Sequence, residues 1–301
     1  MKKLLLFIAL FGQILVAQTI EVTSVKQLLA SSESGGMYHP VFSPTGDYLL
    51  ATSENYLGLK MYSFNDQQLK TLTTEKGAGY GVQISRDGQT ILYRKNELIN
   101  NRLHISLKSY SLKDQKQQQL IAPTRENIVP KFVGNKPLYV KGNQLVKNQV
   151  NNAEISPVIC IENQKMVMYT AIERKVLTPN GENASYIWPT LSPDGKKIAY
   201  VVAGKGTFVC DLNGRNVKSL GKLNAPQWLN NNWLVGMDDI DDGEILLSST
   251  LVAATIDGTI RQTLPTPASL MAMYPAVSPD GQQIVFNTEG GDLYLLNVVL
   301  K

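Results

Sequence analysis

The side chains that most often carry catalysis are scarce in this sequence. Its 301 residues hold two histidines, His39 and His104, and two cysteines, Cys160 and Cys210. With two imidazoles a histidine-rich metal site cannot be assembled. No Gly-x-Ser-x-Gly elbow and no His-Glu-x-x-His pair occurs, so the hydrolase and zinc-protease arrangements lack their core residues. Hard oxygen ligands are available in one place, the run "DDIDDGE" from Asp238 to Glu244. There Asp239, Asp241, Asp242 and Glu244 are calcium candidates. Their spacing is not that of an EF-hand loop, and a solvated acidic loop is the alternative reading. A different chemistry is suggested by Tyr38, His39, Tyr80, Trp188 and Tyr274. Aromatic rings with one polar edge bury area and keep a hydrogen-bonding group, which suits recognition rather than turnover. Packing between structural units is the competing use for each of them.

These aromatics share a sequence context. It appears as "HPVFSPTGDYLLA" from His39, "GVQISRDGQTILY" from Gly81, "WPTLSPDGKKIAY" from Trp188 and "YPAVSPDGQQIVF" from Tyr274. Each is an apolar alternation, a Ser-x-x-Gly turn and a second alternation. Proline presets φ, aspartate bonds back to the backbone, and glycine takes the left-handed conformation that ends the turn. Apolar residues at period two on both sides make the flanks strands. The turn aspartates Asp87, Asp194 and Asp280, and the shifted Asp47, are therefore turn formers. Two weaker copies, "IVPKFVGNKPLYV" from Ile128 and "NAPQWLNNNWLVG" from Asn224, keep the proline and the apolar pattern.

A second marker, Lys/Gln-x-Leu, ends at Leu28, Leu72, Leu120, Leu177, Leu220 and Leu264, with intervals near 44 residues and one of 57. That is the period of a four-stranded propeller blade. Six markers of one kind interleave with six of the other, predicting an all-β, six-bladed propeller over residues 18–301. The last copy stops at "DLYLLNVVLK", one strand short, while "SVKQLLAS" from Ser24 precedes any complete copy. Lending that N-terminal strand to the last blade closes the ring and removes an open sheet edge. The long interval is assigned to extra residues between Gly142 and Ser156.

The pattern (Y/H)PxxSPDGxxIxF…DLYxxN resembles the WD40-like (PD40) repeat of the TolB-type β-propellers, which are exported bacterial proteins. The likeness covers residues 24–301, with four good copies and two weak ones. It implies a binding platform for a cell-envelope protein or peptide. Related propellers also serve as polysaccharide lyases or as the propeller half of serine peptidases, so a lyase or hydrolase acting at the channel mouth is the alternative. Such an enzyme would have Glu54, Arg94, Lys95, Glu97 and Arg102 on the B–C loops to draw on. The family's namesake carries an α/β domain ahead of its propeller, for which this sequence leaves no room.

In such blades the D–A connections and B–C hairpins share one face, and the Ser-Pro-Asp-Gly turns lie on the other. Tyr38, His39, Tyr80, Trp188 and Tyr274 are thereby expected at the rim of the channel mouth, with Glu54, Arg94 and Arg102 as loop contributors. No catalytic residue, cofactor or firm metal site is assigned. The N-terminal "MKKLLLFIALFGQILVAQ" has the charge, short apolar stretch and small residue of a cleaved secretory signal over residues 1–17. Its apolar stretch is short for a membrane span, and no cysteine near the cut indicates a lipid anchor. Net charge is +4, without a basic stripe, which argues against nucleic acid. A periplasmic or secreted monomer is expected. Its two cysteines are either buried thiols or one bridge.

Overall fold

The alternating runs on either side of each turn fold as antiparallel hairpins, and the hairpins assemble into seven sheets. The structure is a computed structural model that describes residues 18–148 and 150–301. The expected leader, 1–17, lies outside the described residues. The first strand, β1 (Ile20–Leu29), belongs to the last blade. Blade 1 follows as β2 (Tyr38–Phe42), β3 (Tyr48–Ser53), β4 (Leu57–Ser63) and β5 (Leu69–Lys76). Blade 2 is β6 (Gln83–Ile84), β7 (Thr90–Ile99), β8 (Arg102–Ser111) and β9 (Lys116–Thr124). Blades 3 and 4 have three strands each: β10 (Ile128–Val133), β11 (Lys136–Lys141) and β12 (Gln144–Val146), then β13 (Val158–Glu162), β14 (Lys165–Tyr169) and β15 (Arg174–Leu177). Blade 5 is β16 (Tyr186–Leu191), β17 (Lys197–Val202), β18 (Gly206–Asp211) and β19 (Lys218–Gly221). Blade 6 is β20 (Asn224–Trp228), β21 (Trp233–Asp241), β22 (Leu246–Thr255) and β23 (Arg261–Thr263). Blade 7 is β24 (Met273–Val277), β25 (Gln283–Asn287) and β26 (Leu293–Leu300), with β1 as its outer strand.

The expected six blades are thus corrected to seven. The 57-residue interval holds two short blades rather than one blade with a loop. Blade 3 ends on the three-residue strand β12, Gln-Leu-Val, which lacks the Lys/Gln-x-Leu marker, whereas the third strand of blade 4, β15, carries the one at Leu177. Blade 4 joins β13 to β14 through Asn163 and Gln164, both at positive φ (48° and 63°). That two-residue hairpin turn replaces Ser-Pro-Asp-Gly and hides the repeat.

Where the turn motif survives, its chemistry is visible. Ser278 Oγ donates to Asp280 Oδ1 at 2.5 Å, and Asp280 Oδ1 accepts from Gln282 N at 3.0 Å. The serine hydroxyl in turn accepts from Gln283 N at 2.9 Å, and Gly281 supplies φ = 71°. The weak copies use their turns differently. Asn135 and Asn231 accept from the backbone N–H of Asp87 and Asp194 in the preceding blades, each at 3.0 Å.

Packing confirms the ring. The buried apolar residues form seven clusters, and each draws on two adjacent blades. Cys160 belongs to the cluster between blades 3 and 4, and Cys210 to that between blades 4 and 5. Both are free buried thiols whose pKa burial pushes up to about 12. Among the described residues no helix is long and apolar enough to cross a membrane.

Closure rests on β1, which pairs with β26 from Ile20↔Leu300 to Leu29↔Leu293. Gln262 of blade 6 holds both backbone groups of Ile20, accepting from its N–H at 3.0 Å and donating to its carbonyl. The Ile20 side chain is 2% exposed, within the cluster shared by blades 6 and 7. Ile20→Ala should therefore cost about 2–5 kcal/mol, as buried isoleucine truncations do. Gln262→Ala should cost about 1–3 kcal/mol through two stranded backbone groups. Denaturant unfolding checks both, and an Ile20→Ala midpoint equal to wild type would contradict closure through β1.

Candidate functional site at the channel mouth

Five of the seven inner strands are irregular at the same point. His39, Gly81, Trp188, Ala225 and Tyr274 all have positive φ, between 48° and 65°. Four of the five precede a proline, and in those four blades the pairing register slips across that position. The result is a β-bulge, which takes one side chain out of the pleat and turns it toward the axis. A non-glycine residue in this conformation costs about 1–3 kcal/mol. Neighbouring blades help to hold it: His39 N–H, freed from the ladder, donates to the fully buried Asn287 of blade 7 at 3.1 Å.

The bulged residues, with Val129 and Ile159 from the unbulged blades 3 and 4, surround a central cavity of about 570 Å3. His39, Tyr80, Trp188 and Tyr274 lie in its wall. Tyr38 lies outside the lining, its ring against Gly36 and Gly291. Arg94, on β7, reaches the wall, whereas Glu54 and Arg102 sit on exposed B–C connections away from it. Tyr56 was not legible in the sequence. It lies on the short helical turn Glu54–Tyr56, in a loop without repeat signature, and its ring completes an aromatic strip. Tyr274 meets His39 at 4.1 Å between centroids, His39 stacks on Tyr56 at 4.6 Å, and Tyr56 meets Tyr80 edge-on at 5.2 Å. The Arg94 guanidinium lies 4.1 Å over the Tyr80 ring.

Among the described residues no aspartate or glutamate lines the cavity. Burial lowers the His39 pKa from 6.5 to about 4, leaving the imidazole neutral near pH 7. Among the described residues Arg94 is thus the one charged residue of the wall. The calcium candidates are dispersed. Asp239 is nearly buried and accepts from Asn224 Nδ2 at 2.7 Å. Asp241 and Asp242 accept from backbone N–H groups of their own hairpin turn, and Glu244 is exposed there. Among the described residues no three of His, Cys, Asp or Glu converge as a metal site. His104 is half-buried on β8, its Nδ1 2.9 Å from the Arg102 carbonyl.

No known family profile matches the chain, and no curated protein matches it in sequence. Its likeness to solved structures is one of fold. TolB from Acinetobacter baumannii superposes with a TM-score of 0.53 at 18% identity over 80% of this chain and 56% of that one. The chain therefore spans just over half the length of that TolB. An Agrobacterium tumefaciens protein provisionally called TolB gives 0.55 at 16% identity, over 94% and 98% of the two chains. An oligogalacturonate lyase in complex with manganese gives 0.50 at 13% identity, over 88% and 78%. The likeness shows the fold, a β-propeller, and solved propellers of similar shape include an enzyme.

The neutral imidazole has a consequence for pH. The folded protein binds the His39 proton less readily than the unfolded chain, so stability falls as pH drops from about 6.5 to about 4. Denaturant midpoints across that window should decline more in wild type than in His39→Gln. Equal slopes would show that burial does not hold His39 neutral.

Proposed function

We propose that the protein is an exported, non-enzymatic binding platform, monomeric in the periplasm or secreted. Its partner is a protein or peptide of the cell envelope, docked on the face formed by the D–A and B–C connections. Export rests on the leader-like sequence of residues 1–17. The observation that carries the binding reading is where apolar surface is left uncovered. Fifteen large hydrophobic side chains are exposed among the described residues. Eleven of them lie on this one face: Leu57, Tyr80, Leu98, Ile99, Leu103, Ile172, Ile187, Trp188, Ile240, Ile245 and Leu247. Apolar surface gathered in this way marks interaction sites. Two hairpins raise part of it above the rim. Strands β7 and β8 have ten residues each and β21 and β22 have nine and ten, against six in β3. At roughly 3.3 Å per residue the blade-2 hairpin stands about 13 Å higher than its blade-1 counterpart.

The alternative, a lyase or hydrolase at the channel mouth, is kept open by the fold's likeness to the oligogalacturonate lyase. Incubation with oligogalacturonide, followed at the absorbance of the unsaturated product, separates the two.

Buried aromatic anchors typically cost about 2 kcal/mol or more on truncation. The triple change His39→Ala, Trp188→Ala and Tyr274→Ala should therefore abolish affinity capture of the partner from an envelope fraction while circular dichroism remains that of wild type. Charge reversal at Lys196 and Lys197, which follow a Ser-Pro-Asp-Gly turn on the opposite face, should leave capture intact. Loss of capture in the reversal, with retention in the folded triple variant, would place docking on the other side.

A further inference from the structure

Arg94 is the wall residue whose bonding is incomplete. Its Nη1 donates to the Ile128 carbonyl at 3.2 Å, bridging blades 2 and 3. Its Nε is buried and has no acceptor. Five buried side-chain polar atoms lack a partner among the described residues, and only this one belongs to the cavity lining. Among the described residues Arg94 also forms no ion pair. Asp239, on β21 of blade 6, is occupied by Asn224 Nδ2 and, at 3.7 Å, by Lys222. A guanidinium taken partly out of water without a counter-charge is unfavourable, and burial indeed lowers its pKa. That cost is recovered when an anion arrives. Stacking on Tyr80 fixes the plane of the guanidinium, which is the geometry that a carboxylate fits with two parallel hydrogen bonds.

We propose that Arg94 is the anchor for a carboxylate presented by a peptide segment, whose neighbouring apolar side chain lies along the strip from Tyr80 to Tyr274. This rests on the binding-platform reading and names the chemistry its partner must show. A volume near 570 Å3 is that of a pocket enclosing a drug-sized ligand, so a short segment enters rather than a folded domain. Peptide is favoured over acidic sugar by the rim. Leu98, Ile99, Ile240 and Ile245 at the hairpin ends offer contacts that a hydrophobic peptide flank uses and a uronate chain does not.

The test uses the protein purified after export and random hexapeptide pools in four forms, with Asp and Glu allowed or withheld, and with a free or amidated C-terminus. Pools carrying a carboxylate should be retained, and the amidated pool lacking Asp and Glu should not. Comparing the two mixed forms tells a side-chain carboxylate from a chain terminus. Peptides selected by wild type should bind Arg94→Gln at least tenfold more weakly, and Arg94→Lys should recover only part of the loss. Thermal unfolding confirms that both variants are folded. Retention that ignores carboxylates, or selected peptides that bind Arg94→Gln as tightly as wild type, overturns the proposal and leaves the platform reading standing. Preferential binding of trigalacturonate overturns it in favour of a sugar site. No retention of any pool also overturns it, and the platform reading itself fails only if envelope capture is empty as well.

Discussion

A blade is a single sheet, so neither of its faces is dry until a neighbouring blade covers it. The seven hydrophobic clusters, one at each blade interface, are the consequence. None of them can be completed inside one blade, so the core exists only as a closed ring. Closure depends in turn on ten residues from one end of the chain, β1, becoming the outer strand beside β26 at the other. Other features serve this arrangement. The Ser-Pro-Asp-Gly turns fix hairpin geometry locally, and asparagines of the weaker turns tie one blade to the last. Gln262 grips the backbone of β1 from the blade next door.

The ring leaves a channel at its axis, and the inner-strand bulges determine what faces into it. Proline removes a ladder donor, and in blades 1, 5, 6 and 7 the pairing slips across it, whereas Pro130 of blade 3 stays in register. In those four blades the residue ahead of the proline swings toward the axis, and in blade 2 Gly81, ahead of Val82, has the same positive φ. Because blades 3 and 4 are not bulged there, the channel is not symmetric. The strip from Tyr274 through His39 and Tyr56 to Tyr80 runs along blades 7, 1 and 2, and ends on Arg94. Aliphatic side chains occupy the blade-3 and blade-4 side. Strain at the bulges and an uncompensated cation gather on the same stretch of wall, where a ligand can relieve the charge.

The sequence carried the fold wherever repetition was intact. Four copies of the turn motif and the Lys/Gln-x-Leu marker located most blades, and the truncated last copy pointed to closure by β1. The count failed where both markers were lost together. Blade 3 ends on the short β12, which lacks the marker, and blade 4 turns through Asn163 and Gln164 with Cys160 in the place of the inner proline. The alternation of Ile159 and Ile161 with Met166 and Met168 was the remaining signal, two strands about a polar two-residue turn. At the site, the residue before each proline was legible because the repeat fixes its position. Tyr56 was not, since B–C loops vary from blade to blade. Tyr38, one residue earlier in the strand, points away from the axis, because the bulge turns only His39 inward.

The central claim is that one face of the ring, and not the other, is the recognition surface. Hydrogen–deuterium exchange of the protein alone and with its captured envelope partner measures this directly. Protection should concentrate at residues 54–57, 96–103, 187–188, 240–247 and 273–274, and leave the turns at 43–47, 192–196 and 278–282 exchanging as before. Protection confined to those turns, with the aromatic rim unchanged, would contradict the account.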